Sequence, residues 1–363
     1  MAQKQVGQDK GDLFAMKILR KTHLLKRGQI ERTKTERKVL SIVDHPFIMK
    51  LHFAFQSHDK LFLVLDYCAG GELFFHLSRY RKFHENVACF YAVELLLAIG
   101  HLHSKGIIYR DLKPENVLLD SEGHVKLGDF GLAKDGIEHP FRGATSRVGT
   151  PEYMAPEILQ QLGHGFCVDY WGLGMLLYEM MTGLPPWYTT DRQKLFRRLN
   201  SAPLDIPHFF SQQAGSCVYS LLQRDPRRRL GVKGLVSALD HPFFSRLDLN
   251  AIAERQVSAP IRPCHGWRAR EANERDSFSM YPKSTRDSND KETHIQLEEL
   301  DAATANFDKQ FTRMAIHSVS DQDGSEDNSS QEREEELDEN TFVGFTFEDR
   351  SDSQSEAPSD TII

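Results

Sequence analysis

The sequence is poor in cysteine and has no long apolar run. No uninterrupted apolar stretch approaches the ~20 residues that a membrane helix needs. The first ten residues, Met-Ala-Gln-Lys-Gln-Val-Gly-Gln-Asp-Lys, have no apolar core, so no secretory signal and no membrane segment are expected. The five cysteines, Cys68, Cys89, Cys167, Cys217 and Cys264, are odd in number and lack the close pairs of a zinc site. Reduced thiols in a cytoplasmic, or also nuclear, setting are the simplest expectation. No internal repeat is visible. What is present is ordinary for a globular core: 40% apolar and 27% charged residues exclude a collagen-like or wholly disordered chain. At about 150 residues per domain, the 363 residues suggest about two domains.

The net charge of −7 is unevenly spread: Ser318 to Ile363 holds 15 Asp/Glu against Arg333 and Arg350, a net of −13, which leaves +6 for the rest. An acidic tail argues against nucleic-acid binding and suits a solvated, phosphorylatable segment. Ahead of it, residues 12–66 read as strands around one helix. Leu13 to Leu19 is a short apolar run. Ile30 to Val43 has helical spacing and ends at His45-Pro46. Leu61 to Leu65 reads as a buried strand. After Gly70-Gly71 the pattern turns helical. Asn86 to Ser104 is a long helix stopped by Gly106, and Cys167 to Thr182 is a second, closed by Gly183. Val117–Leu119 and Val125–Leu127 flank an Asp-Ser-Glu-Gly turn and predict a hairpin. The compact body is expected to end near Leu247. Beyond it, aromatic islands at Phe307 to Met314 and Phe342 to Phe347 interrupt a polar tail, as docking segments do.

The chemistry concentrates in a few short runs. Tyr109-Arg110-Asp111-Leu112-Lys113-Pro114-Glu115-Asn116 is followed by Asp129-Phe130-Gly131 and then Ala155-Pro156-Glu157. Upstream lies Phe14-Ala15-Met16-Lys17. These runs bring together carboxylates at Asp111 and Asp129, an amide at Asn116 and lysines at Lys113 and Lys17, the residue types that metal and phosphate chemistry uses. Lys17 needs a carboxylate to hold it. Helical spacing alone leaves Glu36 and Glu31 both open.

In this order and at these intervals, the runs resemble the signature set of the eukaryotic protein kinases. The resemblance implies an α+β, bilobal protein-kinase fold: a truncated strand-rich N-lobe over residues 1–68, a helical C-lobe over 69–248, and a mostly irregular, acidic regulatory tail over 249–363. It implies ATP and Mg²⁺ as cofactors, with Asp111, Lys113, Lys17 and Glu36 catalytic and Asn116 and Asp129 on the metal. Ala15, Leu65, Asp66, Cys68, Glu72, Glu115 and Leu118 would surround the nucleotide. Leu65 takes the gatekeeper position, and Cys68 reads as a small apolar filler rather than a reactive thiol. Glu72 and Glu115 also match positions that read an arginine three residues before the acceptor. A further acidic position of some relatives falls at Arg197. Glu157 is expected to pair with Arg229 and Asp169 to brace the catalytic loop. Arg227 and Arg228 are expected to be solvated neighbours of that pair, not a nucleic-acid patch.

Tyr109, Gly149-Thr150-Pro151-Glu152-Tyr153, Asn306-Phe307-Asp308 and Phe342-x-x-Phe345-Thr346-Phe347 together resemble the AGC serine/threonine kinases. The likeness is to the branch of ribosomal-protein kinases, serum- and glucocorticoid-regulated kinases and protein kinase B. This implies a monomer that acts on protein substrates under upstream activating kinases. Ser146, or its neighbour Thr145, takes the activating phosphate, with Arg110, Lys134 and Arg32 as its pocket. Arg147 and Val148 depart from the usual aromatic-Cys pair. Phe342 and Phe345 would fill a groove beside the Glu36 helix, with Lys26 and Arg27 facing a phosphate on Thr346. Ser318 or Ser320 would be a turn-motif site, and Phe307 a tether. No Gly-x-Gly-x-x-Gly precedes Lys17. A fragment of an active kinase, a short isoform of weak activity and a non-catalytic interaction module are the readings that follow, with Val6 as the stub of a missing strand. A small-molecule phosphotransferase would not need the Thr150 to Glu157 segment or the aromatic tail.

Overall fold

A computed structural model describes residues 2–3, 13–264 and 339–349. The expected positions Val6, Phe307, Ser318 and Ser320 lie outside the described residues. The N-lobe is built on β2 (Leu13–Arg20), β3 (Leu51–Gln56) and β4 (Lys60–Asp66), with α1 (Lys21–Lys26) and α2 (Ile30–Ile42) packed on the sheet. β2 and β4 pair antiparallel, with Lys17 opposite Leu63 and Ala15 opposite Leu65. Side chains alternate along a strand. Lys17 therefore shares the face of Leu61 and Leu63, which are fully buried. α2 turns Glu36, Val39 and Leu40 to that same face.

The sheet has five strands, in the order β1-β2-β4-β3-β8, where β1 is Ala2–Gln3 and β8 is Phe347–Glu348. Both outer strands come from chain ends. β1 lies on β2 with Gln3 opposite Leu13. β8 lies on β3 with Phe347 opposite Ala54 and Glu348 opposite Phe53. The tail thus adds a strand to the sheet as well as filling a groove.

The C-lobe begins at β5 (Gly71–Glu72) and α3 (Leu73–Tyr80). α4 (Glu85–Ser104) is long and apolar enough to cross a membrane. Here it is the central core helix, with Leu95, Leu96, Ala98 and Ile99 fully buried. The hairpin β6 (Val117–Leu119) and β7 (Val125–Leu127) follows, then α5 (Pro156–Leu159), α6 (Cys167–Thr182), α7 (Arg192–Ser201), α8 (Gln212–Leu221) and α9 (Leu235–Leu239). α6 ends where the sequence predicts: Gly183 takes φ +91° and its N–H closes on the Glu179 carbonyl at 2.7 Å.

Packing continues past Leu247. α10 (Leu249–Ala253) buries Ile252, and the following segment buries Ala259 and Ile261. Gly123, at the tip of the β6–β7 turn with φ +93°, is pressed by this segment; a Cβ there would lie 1.8 Å from the Ile261 carbonyl oxygen. The apolar residues here, Leu249, Ile252, Val257 and Ile261, are scattered singly among polar ones and show no sustained period. Only the surface they cover makes Ile252 and Ile261 core.

Candidate active site

The catalytic run sits between the β6–β7 hairpin and α6. Asp169, fully buried near the start of α6, accepts hydrogen bonds from the backbone N–H of Tyr109 (3.0 Å) and Arg110 (2.8 Å) and pairs with His103 (2.7 Å). That brace, expected from the sequence, holds Arg110 at φ +70° and presents Asp111 to the cleft. Asn116 donates to the Asp111 carboxylate at 2.9 Å and to its carbonyl at 2.8 Å. Lys113 Nζ lies 2.9 Å from the same carboxylate and donates to Thr150 Oγ1 at 2.8 Å. Thr150 in turn donates to Asp111 Oδ1 from its hydroxyl (2.8 Å) and its N–H (3.1 Å). Asp111 is thereby fixed by three partners, Lys113 and Asn116 in its own run and Thr150 from a distant segment.

Lys17 meets Glu36 through both carboxylate oxygens, at 2.8 and 2.9 Å. Glu31 pairs instead with Lys34 on the exposed side of α2, so the structure separates the two candidates. Burial resists the Lys17 charge, but the Glu36 carboxylate more than offsets it and holds the ammonium pKa above the usual lysine value. Asp129 adopts φ +48° beside Gly131, whose N–H donates to Asp129 Oδ1 at 3.2 Å. Phe130 is fully buried edge-to-face against Tyr109. Lys17, Glu36, Arg32, Asp111 and Asp129 line one cleft of about 280 Å³. The Asn116 amide nitrogen is held by Asp111, and the Asp129 carboxylate is exposed. Hard oxygens facing a cleft with a bound ammonium fit a Mg²⁺–nucleotide, in which phosphate oxygens complete the metal shell.

The expected nucleotide residues fall on both lobes. Ala15 neighbours Leu65 across β2 and β4, and Leu118 lies opposite Glu72 across β6 and β5. Asp66 is held by His52 (2.8 Å), Lys126 (2.9 Å) and the Lys50 N–H (3.2 Å). Burial pushes its pKa up, but these donors win and keep it down at about 2. Burial pushes the Cys68 thiol up to about 12, in keeping with a filler. Glu115 lines a separate groove of about 570 Å³ beside Thr150, together with Glu152, Tyr153, Glu179 and Phe74. Glu179 is the acid that the sequence reading missed. It comes from α6, is buried, and accepts a hydrogen bond from Tyr153. Burial, aided by Glu115, pushes its pKa up to about 7. The position matched to Arg197 lies instead on the exposed side of α7. Glu179 stands ten residues after Asp169 inside an apolar helix, so no local pattern marked it.

Arg110 donates from its guanidinium to Ser146 Oγ at 2.8 Å and to the Leu132 carbonyl at 2.7 Å; Thr145 and Ser146 are both exposed. Burial, with Arg32 nearby, lowers the Arg110 pKa to about 10. Lys134 reaches the Gly143 carbonyl at 2.8 Å. In the N-lobe, Phe342 and Phe345 are 3% and 4% exposed, and Thr346 is exposed. Arg37 donates to the Phe345 carbonyl at 3.0 Å and the Thr346 carbonyl at 2.8 Å, and Lys21 stands 5.5 Å over the Phe342 ring. The cations seen on the docked tail are Arg37 and Lys21, where the sequence pointed to Lys26 and Arg27. The expected Glu157–Arg229 pair is buried, at 2.7 and 3.0 Å, and Arg227 and Arg228 beside it are exposed.

Comparison with known proteins agrees with this geometry. The protein kinase domain matches residues 2–244, and the protein kinase C terminal domain matches residues 301–347. The chain is similar to a RAC family serine/threonine-protein kinase homolog of Dictyostelium discoideum, 45% identical over 256 residues, which are 70% of this chain and 57% of that protein. It is 47% identical over 263 residues to protein kinase 2 of the same organism, covering 72% of this chain and 54% of that one. To human ribosomal protein S6 kinase alpha-2 it is 44% identical over 287 residues, covering 78% and 38%. The matches thus span about half, or less, of these relatives' lengths. With the Lys17–Glu36 pair, the braced Asp111 and both domain matches in one chain, this protein belongs to the protein kinase family, in its AGC branch.

Proposed function

We propose that the chain transfers the γ-phosphoryl group of ATP to serine or threonine hydroxyls of protein substrates that carry arginine upstream of the acceptor. The observation that carries this is the fixed Asp111, held by Asn116, Lys113 and Thr150 in the cleft that also holds Lys17 and Asp129. The substrate hydroxyl approaches Asp111 and forms its O–P bond as the bond from the γ-phosphorus to the bridging oxygen breaks. ADP leaves with that electron pair, and the hydroxyl proton passes to an Asp111 carboxylate oxygen. Lys17 holds the α- and β-phosphates, and Lys113 balances charge on the moving group. Asn116 and Asp129 would hold Mg²⁺, which neutralises the phosphate oxygens when bound. Glu115, Glu152 and Glu179 form the acidic surface that suits a substrate arginine, while the nucleotide residues of the two lobes frame the adenine.

Regulation follows from the same contacts. A phosphate on Ser146 meets Arg110 directly, which favours Ser146 over Thr145 as the activating site. A phosphate on the exposed Thr346 lies beside Arg37, on the helix that carries Glu36. Upstream kinases and a cytoplasmic or nuclear location go with this reading. A non-catalytic interaction module is the alternative.

The test is phosphate incorporation from labelled ATP into serine peptides with and without arginine three residues before the acceptor. The arginine peptide should react faster, and Asp111→Asn should lower turnover about 10²–10⁴-fold, as removal of a positioned proton acceptor does. Equal labelling by the wild-type chain and Asp111→Asn, or no labelling by either, would sink the proposal.

A further inference from the structure

The acidic groove covers one side of the acceptor position. Near the Pro151–Tyr153 turn, over the Phe196 ring of α7, stands a pair of arginines of the opposite charge. Thr150, bonded to Asp111 and Lys113, marks where the acceptor sits. Three residues upstream on the same segment, Arg147 lays its guanidinium 5.0 Å over the Phe196 ring of α7. Arg192, from the first turn of α7, lies 5.5 Å over the same ring. Both arginines are exposed, and among the described residues neither is ion-paired. α7 packs on the Pro151–Tyr153 turn that directly follows Thr150.

Three residues of chain span at most about 10 Å. An extended substrate advances ~3.3 Å per residue. Arg147 is therefore within reach of side chains up to about three residues from the acceptor. Stacking on an aromatic face fixes a guanidinium in place, yet leaves its planar N–H fork free for a carboxylate. Adjacent residues of the activation segment thus face two different tasks: Ser146 contacts the catalytic-loop Arg110, and Arg147 contacts the substrate-facing end of α7.

We infer that Arg147, with Arg192 beside it, selects substrates that carry an Asp or Glu one to three residues after the phosphorylated serine or threonine. The inference rests on the proposed kinase reading and adds a second specificity element to it. The preferred substrate is dipolar: arginine before the acceptor lies over Glu115 and Glu179, and a carboxylate after it lies on Arg147.

The experiment uses the 363-residue chain and three peptides with the same arginine before the serine and two glutamates, two leucines or two lysines after it. Affinity is read by fluorescence anisotropy without ATP, and kcat/KM by phosphate transfer. Wild type should favour the glutamate peptide over the leucine peptide about fivefold or more in both readouts, with the lysine peptide last. Added salt should shrink that ratio, since the contact is exposed. Arg147→Glu should invert the order and favour the lysine peptide, a gain that a misfolded variant does not produce. Arg147→Phe should favour leucine. Equal binding of the glutamate and leucine peptides to wild type, or an unchanged order in Arg147→Glu, overturns the inference. If glutamate-selective binding persists while no peptide is phosphorylated, the kinase reading fails and the Arg147 assignment stands.

Discussion

The two lobes are assembled in different ways. The C-lobe is closed from within its own span, residues 71–264: α6 packs on α4 and on α8, and the buried Arg229 joins Glu157 to the start of α6. The N-lobe sheet takes its outer strands from the chain ends, Ala2–Gln3 on one side and Phe347–Glu348 on the other. Its helix α2 is gripped by the tail through Arg37. The lobe that positions Lys17 therefore depends on a segment about 300 residues away, whereas among the described residues the lobe that positions Asp111 shows no such contact. Loop closure over such a distance is entropically costly. A contact of that kind can shift without disturbing the C-lobe core, since its residues lie outside it.

The sharpest break of this comparison is in the C-lobe. Arg229→Ala leaves the Glu157 carboxylate buried without its partner. Removing one member of a buried pair costs about 3–5 kcal/mol, so the whole chain should melt markedly earlier in calorimetry. A melting curve close to wild type would show that the pair is dispensable and the contrast between lobes overstated.

Next in size is the tail contact. Phe342→Ala with Phe345→Ala removes two buried rings from the groove between α2 and β3. Each such truncation costs about 3–5 kcal/mol of local packing. The expected outcome is faster amide exchange in β3 and α2, unchanged protection of α4 and α6, and peptide phosphorylation reduced about tenfold. Loss of protection spread evenly over both lobes would mean that the tail supports the whole fold rather than one lobe.

The smallest effect sharpens the contrast by pH. Glu179 has its pKa pushed up to about 7, so it is largely protonated at pH 6 and charged at pH 8. A substrate arginine pairs with the charged form. KM for an arginine peptide should therefore fall severalfold as pH rises from 6 to 8, and Glu179→Gln should flatten that slope. A slope that survives in Glu179→Gln places the titration elsewhere.

The elements were legible where pattern and punctuation agreed. α4 and the β6–β7 hairpin fall where apolar spacing and Gly106 or Gly123 put them. Likewise the order of Lys17, Asp111, Asn116 and Asp129 identified the site, since each needs a particular donor type in a short local frame. Helical spacing alone left Glu31 and Glu36 open as partners of Lys17, because both lie on one helix; the family resemblance pointed to Glu36, and the rotation of α2 against the sheet pairs Glu36 with Lys17. Phe347 and Glu348 gave no strand signal, as a two-residue strand exists only through the edge it joins.

By itself, the sequence determined the donor types available: oxygens suited to a metal at Asn116 and Asp129, a carboxylate at Asp111, a strand lysine at Lys17 and an aromatic tail. These depend on side-chain type and near spacing. Only the tertiary structure decided which acid is protonated near neutrality, which serine meets Arg110, and which ring orients Arg147. Those outcomes depend on burial and on distances between remote segments, and neither is encoded in any local stretch of residues.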